Sequence, residues 1–193
     1  MIDPTTLIKP TSSIREKQIF LIFCIFVAGR NSDLAANKLS KFLSKCKDDE
    51  LPFNYLKNNI HDLHNILVAN KVGQYNRIEA AIKQAIHLDV EKCSLEDLLN
   101  IYGVGMKTAK FFLVYSRSGE KHAILDVHIL KWMKKFYSDA PSQTPPPDQY
   151  RKWEGRFFNL VKAEFGDNID LTKIDLLIWS KESGRLKKKN KRL

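Results

Sequence analysis

Apolar residues recur along this chain mostly at three- and four-residue spacing, and the elements they predict are helices from end to end. The first is predicted over Ser13 to Ala28, SIREKQIFLIFCIFVA. Ser13 and Glu16 match a capping box, and the run that follows is apolar on every side, as in a helix surrounded by others. A buried strand is the alternative for that run. Gly29-Arg30-Asn31-Ser32 breaks the pattern, and helical spacing resumes from Asp33 to Leu43. A helix from Phe53 to Val68 follows through Leu56, Ile60, Leu63 and Leu67, its limits blurred by Pro52 and Asn58-Asn59. After the turn Lys71–Arg77, the segment Ile78 to Leu88 carries Ile78, Ala81, Ile82, Ala85 and Ile86 on one side.

The most informative stretch runs from Leu98 to His128. Ser94 is placed to cap a helix whose Leu95, Leu98, Leu99 and Tyr102 form a face expected to be buried. Gly103 and Gly105 then bracket Val104 and end that helix, because glycine accepts positive φ and lets another backbone approach. From Met106 to Tyr115 a second helix puts Ala109, Phe112 and Leu113 on one face, with Lys107 and Lys110 expected to point elsewhere. Helix, glycine hairpin and helix together make a helix-hairpin-helix over residues 94–116. Asp126 stands between apolar residues in Ile124-Leu125-Asp126-Val127-His128, where the simplest role for an acid is to cap the next helix. That helix continues through Leu130, Trp132, Met133 and Phe136. A proline-rich loop spans Pro141–Pro147, and a further helix, Tyr150–Phe165, presents Trp153, Phe157, Leu160 and Val161.

Composition narrows the class. The chain has 193 residues, 44% of them hydrophobic and 28% charged, which suits one compact protein, or two small lobes sharing a core, and excludes a disordered polyampholyte. Its net charge of +10 favours an acidic polymer as partner. Cys24, Cys46 and Cys93 are odd in number and widely spaced, so they suggest buried reduced thiols rather than disulfides or a zinc site. No signal peptide or bilayer-spanning run is apparent, and an intracellular protein of the cytoplasm or nucleoid is expected, with no membrane partner.

The hairpin suggests the chemistry. A Gly-Val-Gly turn that opens a helix leaves unpaired N–H groups facing outward, an arrangement that holds a phosphate of a DNA backbone. A helix end followed by a new helix produces the same letters. The hairpin Gly103-Val104-Gly105-Met106-Lys107-Thr108-Ala109, followed by Ile124-Leu125-Asp126-Val127-His128, resembles the helix-hairpin-helix DNA glycosylases. The lack of any cysteine after Cys93, the Gly-Met-Lys hairpin and the segment Ile174–Gly184 are similar to the small archaeal-type 8-oxoguanine DNA glycosylases, and more distantly to endonuclease III.

This resemblance implies an all-α, two-lobed fold with the DNA and base cleft between the lobes. Residues 29–116 would form the central lobe, 1–28 with 117–186 the second, and 187–193 a basic tail. It implies Lys107 as nucleophile and Asp126, 19 positions on, as its partner. It also implies excision of an oxidised purine, 8-oxoguanine, from damaged double-stranded DNA through a Schiff base and β-elimination. No cofactor is then required and no iron–sulfur cluster is expected. A structural monovalent cation would sit on the backbone carbonyls of Leu99, Ile101 and Val104. One active site per chain needs no second copy, so a monomer is expected.

Gly103, Val104, Gly105 and Lys110 would meet DNA at the hairpin; Lys71 and Arg77, expected to be exposed beside a turn, could reach phosphates or be merely solvated. Arg30 occupies the place from which the family inserts a side chain into the duplex; a solvated turn or a phosphate contact is the other reading. Trp179 could stack on an extruded base or belong to the core. In the resembling subfamily the chain ends near the base pocket, whereas here Lys187 and Lys188 begin a basic run, suited to nonspecific DNA contact or, at its start, to reaching the base. Two other functions stay open: an endonuclease III-like glycosylase for oxidised pyrimidines, and a noncatalytic DNA-binding module.

Overall fold

The computed structural model describes residues 8–167 and 170–183. Every regular element among them is helical: α1 (Ile14–Val27), α2 (Ser32–Phe42), α3 (Pro52–Asn58), α4 (Leu63–Ala69), α5 (Tyr75–Ala85), α6 (Leu95–Leu99), α7 (Met106–Ser116), α8 (Val127–Met133), α9 (Pro147–Phe165) and α10 (Leu171–Glu182). The all-α expectation is met. The strand alternative fails, because residues 19–27 lie inside α1. The chain divides into two compact units, Met1–Glu120 and Lys121–Leu193.

In the first unit α1 is the hub, packing on α2, α3, α5 and α7. Its sequence requires this. Phe20 to Phe26 are all buried, so no side of the helix after its first turn suits water. Each such side chain contributes roughly 1.5–3 kcal/mol by leaving water. The capping box forms as expected: the Ser13 side chain accepts from the Glu16 backbone N–H, and the Glu16 carboxylate accepts from the Ser13 N–H at 2.7 Å. Two polar residues of α1 are buried with partners. Lys17 meets Glu91 at 3.1 Å, and the Gln18 side-chain oxygen accepts from the Phe53 N–H at 3.0 Å, supplying α3 with the cap its own N-terminus lacks. This grouping sets α1 with the 29–116 segment, whereas the sequence reading assigned 1–28 to the C-terminal lobe.

The helix expected from Phe53 to Val68 is two helices, α3 and α4, joined by a 3₁₀ turn at Ile60–Asp62. Asn59 explains the break. Its side-chain N–H₂ donates to the Tyr55 carbonyl at 2.8 Å, competing with the helical backbone there. All three cysteines belong to the first unit, are free, and are buried.

In the second unit α8 packs on α10. Lys131 of α8 and Lys135 in the turn just after it both pair with Glu182 at the end of α10, whose carboxylate is nearly buried. Along α9, Tyr150, Trp153, Phe157, Leu160 and Val161 form the buried face.

Candidate active site

The hairpin is built by two local devices. Ser94 caps α6 through a capping box with Asp97, whose carboxylate accepts from the Ser94 N–H at 2.7 Å. Those bonds hold the Asp97 carboxyl below its ordinary range. The helix stops at Leu99, and the chain turns through Ile101, whose carbonyl accepts from the Val104 N–H at 3.0 Å. Ile101 and Val104 are buried and fasten the turn to the core, while Gly103 and Gly105 are exposed. Only Gly103 uses positive φ (73°). Tyr102, expected on the buried face, is 60% exposed. With α6 ending at Leu99, the helical spacing no longer applies, and Ile101 takes the inward place.

Gly105 then opens α7 with no side-chain cap, so the first-turn N–H groups remain available to an acceptor from outside, as the hairpin pattern predicts. Lys107 is the second residue of α7. Its ammonium lies over the Phe111 ring at 5.9 Å, and Phe111 in turn packs on Phe20 and Tyr115. It is also close enough to α1 to act on Cys24: burial pushes that thiol far up, and the Lys107 charge pulls the other way. Lys110 corrects the sequence reading. It is 3% exposed, because α7 is covered on more than one side by α1 and α6, so it does not stand on the surface with Lys107.

Asp126 belongs to the second unit. It is the N-cap of α8, and its Oδ1 accepts from the N–H groups of His128 and Ile129, both at 2.9 Å, which leaves Oδ2 outside the cap. The residues just before it are pinned. Buried Tyr150 accepts from the Leu125 N–H at 3.0 Å and donates to the Ala123 carbonyl at 2.8 Å. The Glu154 carboxylate accepts from the Ala123 N–H at 2.8 Å, and Thr144 donates to the Leu125 carbonyl at 2.9 Å. Trp179 of α10 is half-buried and meets His128 edge to face, the ring centroids 5.2 Å apart.

The basic residues gather at the loop before α5. Lys71, Gly73 and Gln74 all have positive φ, unusual for a lysine and a glutamine. The Val72 carbonyl between them accepts from Arg30 at 2.6 Å and from Lys38 at 3.3 Å. Arg30 is thus tied to this loop and half-buried. Arg77 turns inward: it donates to the Ile25 carbonyl at 2.9 Å and to the Gln74 side chain at 2.7 Å. Burial and then the charge of Arg30 press its guanidinium below the ordinary arginine range. This corrects the reading of Arg77 as an exposed phosphate contact. Lys71 is exposed as expected. Lys187 and Lys188 lie outside the described residues.

Three positioning residues carry no functional signal in the sequence reading: Lys38 and Gln84 in the first unit and Tyr150 in the second. Lys38 reads there only as part of a helical spacing. Gln84 accepts from the Tyr102 N–H at 2.5 Å, and Tyr150 fixes the approach to Asp126. Nothing in the local sequence marks Gln84 or Lys38. A tyrosine in the apolar face of a long helix carries a hydroxyl that needs a partner when buried, and that was the available signal for Tyr150.

A helical fold with a glycine hairpin that presents a lysine in the next helix's first turn defines the class of helix-hairpin-helix DNA glycosylases. Within that class, a family model for 8-oxoguanine DNA glycosylase matches residues 8–164, and the chain belongs to that family. It is 29% identical over 168 residues to an 8-oxoguanine DNA glycosylase/AP lyase of Thermoplasma acidophilum, covering 85% of this chain and 78% of the relative. It is 29% identical over 152 residues to an 8-oxoguanine DNA glycosylase/AP lyase of Saccharolobus solfataricus, covering 78% and 67%. No solved structure matches significantly. Among the described residues no group of three or more His, Cys, Asp or Glu could hold a metal ion, and no helix is long and apolar enough to cross a membrane.

Proposed function

We propose that this protein is a bifunctional base-excision-repair enzyme that removes 8-oxoguanine from duplex DNA and cuts the strand through a covalent intermediate on Lys107. The observation that carries it is Lys107 itself, held in the first turn of a helix behind an uncapped glycine hairpin, in a chain of the 8-oxoguanine glycosylase family. The N–H groups of Gly103 and Gly105 and of the first turn of α7 take a backbone phosphate, the Val104 N–H being held by the Ile101 carbonyl, with Lys71 and Arg30 adding charge nearby. The target nucleotide leaves the stack, because its sugar carbon is out of reach within the duplex.

Lys107 Nζ, as the neutral amine, attacks C1′ of the sugar. The C1′–N bond to the base breaks and the base departs, taking up by way of Asp126 the first proton lost by the lysine nitrogen; the C1′–O4′ bond then opens, O4′ leaves C1′ as a hydroxyl with the second, and the C1′=N bond forms. Asp126 supports this step in the proposed reading. Its Oδ1 is occupied by the α8 cap, and Oδ2 is the oxygen that faces the developing positive charge and accepts the proton lost by the lysine nitrogen. The resulting Schiff base acidifies the adjacent sugar carbon, and β-elimination breaks the strand on the 3′ side. The reading includes a cleft between two lobes that brings Lys107 and Asp126 together, with Trp179 beside the extruded base. Carbonyls of Leu99, Ile101 and Val104 keep a free lone pair each for a monovalent cation, since a carbonyl that accepts one bond, as Ile101 does, has a second site. A monomer in the cell interior suffices for this chemistry.

Borohydride trapping on duplexes carrying 8-oxoguanine, thymine glycol or an abasic site tests the reading. An adduct on 8-oxoguanine DNA that Lys107→Gln abolishes is the expected result. Adducts on thymine glycol alone would move the protein to oxidised pyrimidines, and salt-sensitive binding without any adduct would leave a noncatalytic DNA-binding protein.

A further inference from the structure

Arg77 joins three segments that are distant in sequence. Its Nη2 donates to the carbonyl of Ile25, in the last turn of α1, where the helix has no donors of its own and carries no basic residue. Its Nε donates to the side chain of Gln74, a non-glycine residue in the left-handed region whose conformation needs such a restraint. Its aliphatic stem lies directly against Gly103. A Cβ built on Gly103 would stand 2.9 Å from Arg77 Cγ and 3.1 Å from Cδ, closer than side chains approach one another. Among the described residues no carboxylate pairs with Arg77, and its Nη1 is buried with no hydrogen-bond partner. A side chain in that setting is committed to the protein. A phosphate ligand would direct its guanidinium to solvent.

We infer that Arg77 is a positioning residue: by bridging the end of α1, the loop at Gln74 and the backbone of Gly103, it sets where the hairpin and the first turn of α7 stand. The consequence for catalysis rests on Lys107 being the nucleophile. The mechanical part does not. Gly103 is therefore needed for two reasons, its positive φ and the room its missing side chain leaves for Arg77.

The contact makes a double-substitution experiment decisive. Arg77→Met keeps most of the stem and removes both hydrogen bonds, whereas Arg77→Ala also opens the space beside Gly103. We expect amide hydrogen exchange in the peptide spanning residues 101–107 to speed up about tenfold in Arg77→Met, on the scale of a local opening that has lost one good restraint. Schiff-base formation on an abasic duplex in single turnover should slow by about tenfold or more, as a small displacement of a nucleophile does. The salt dependence of duplex binding should stay as in the parent protein. Gly103→Ala should cost several-fold less, in the same rate and in exchange, when Arg77 is already Ala than when it is Arg. Arg77→Lys keeps the charge but not the fork, and it should behave like Arg77→Met; it also serves should Arg77→Met fold poorly.

Three results would overturn the inference: a salt dependence weakened by about one phosphate contact with unchanged hairpin exchange, effects of Gly103→Ala that are the same with and without Arg77, or full rescue by Arg77→Lys. Should the parent protein form no Schiff base at all, the proposed function fails, while the exchange and double-substitution measurements still decide the role of Arg77.

Discussion

The phenol of Tyr150 is bonded to the backbone of Leu125, one residue before Asp126: it accepts the Leu125 N–H at 3.0 Å while its own proton goes to the Ala123 carbonyl at 2.8 Å. Tyr150 is fully buried, and burial pushes its hydroxyl far up, so it stays a donor at any ordinary pH. Tyr150→Phe leaves a backbone donor and acceptor without this partner. We expect about 1–3 kcal/mol lower stability in urea unfolding, and slower Schiff-base formation because the chain entering Asp126 is less well held.

Asp126 has a structural and a proposed chemical task, and two substitutions separate them. Asparagine caps helices about as well as aspartate, so Asp126→Asn should unfold within a few tenths of a kcal/mol of the parent while the excision rate falls about 10²–10⁴-fold. Asp126→Ala should lose the rate and about 1 kcal/mol of stability as well. Equal rates for the parent and Asp126→Asn would remove Asp126 from the mechanism.

Two lysines three residues or more from the hairpin glycines should answer differently to salt. Lys71 is exposed, and Lys71→Gln should lower the slope of log affinity against log salt by about 0.9 for duplex DNA. Lys110 is buried, so Lys110→Gln should leave that slope alone and show its effect in thermal unfolding instead.

The capping box that starts α6 predicts an acid-sensitive hairpin. The Asp97 carboxyl titrates below its ordinary 3.8 in the folded chain, held down first by the Ser94 backbone N–H and then by its hydroxyl. A depressed folded value means the stabilisation is fully present above pH 3.8 and is lost as pH falls through the folded value. Melting temperatures followed from pH 5 downward should therefore drop less steeply in Asp97→Asn than in the parent below pH 3.8. Identical profiles would mean that the Asp97 bonds add nothing to folding.

What the sequence made legible was local. Ser13 with Glu16, Ser94, the glycine hairpin and Asp126 each act within three or four residues of themselves, and a pattern of that length can be read directly. Lys110 and Arg77 were misread for the opposite reason. Arg77 is held by the Ile25 carbonyl of α1, more than fifty residues earlier, and Lys110 lies on α7, which packs on both α1 and α6; charge along the sequence says nothing about such neighbours. Tyr102 was misread because α6 is one turn shorter than its apolar spacing suggests, and the split of α3 from α4 at Asn59 depends on a side chain choosing its own backbone.

The three buried thiols give the protein a built-in reporter. Cys24, Cys46 and Cys93 are 0%, 8% and 4% exposed, and the second unit, from Lys121 onward, has no cysteine. A thiol-alkylating reagent therefore finds its targets only when the first unit opens, and burial keeps Cys24 and Cys93 protonated and slow to react until then. Pulsed alkylation read by mass thus times the opening of α1, of the turn at Cys46 and of the turn before α6 separately, in the unmodified protein and without any engineered label.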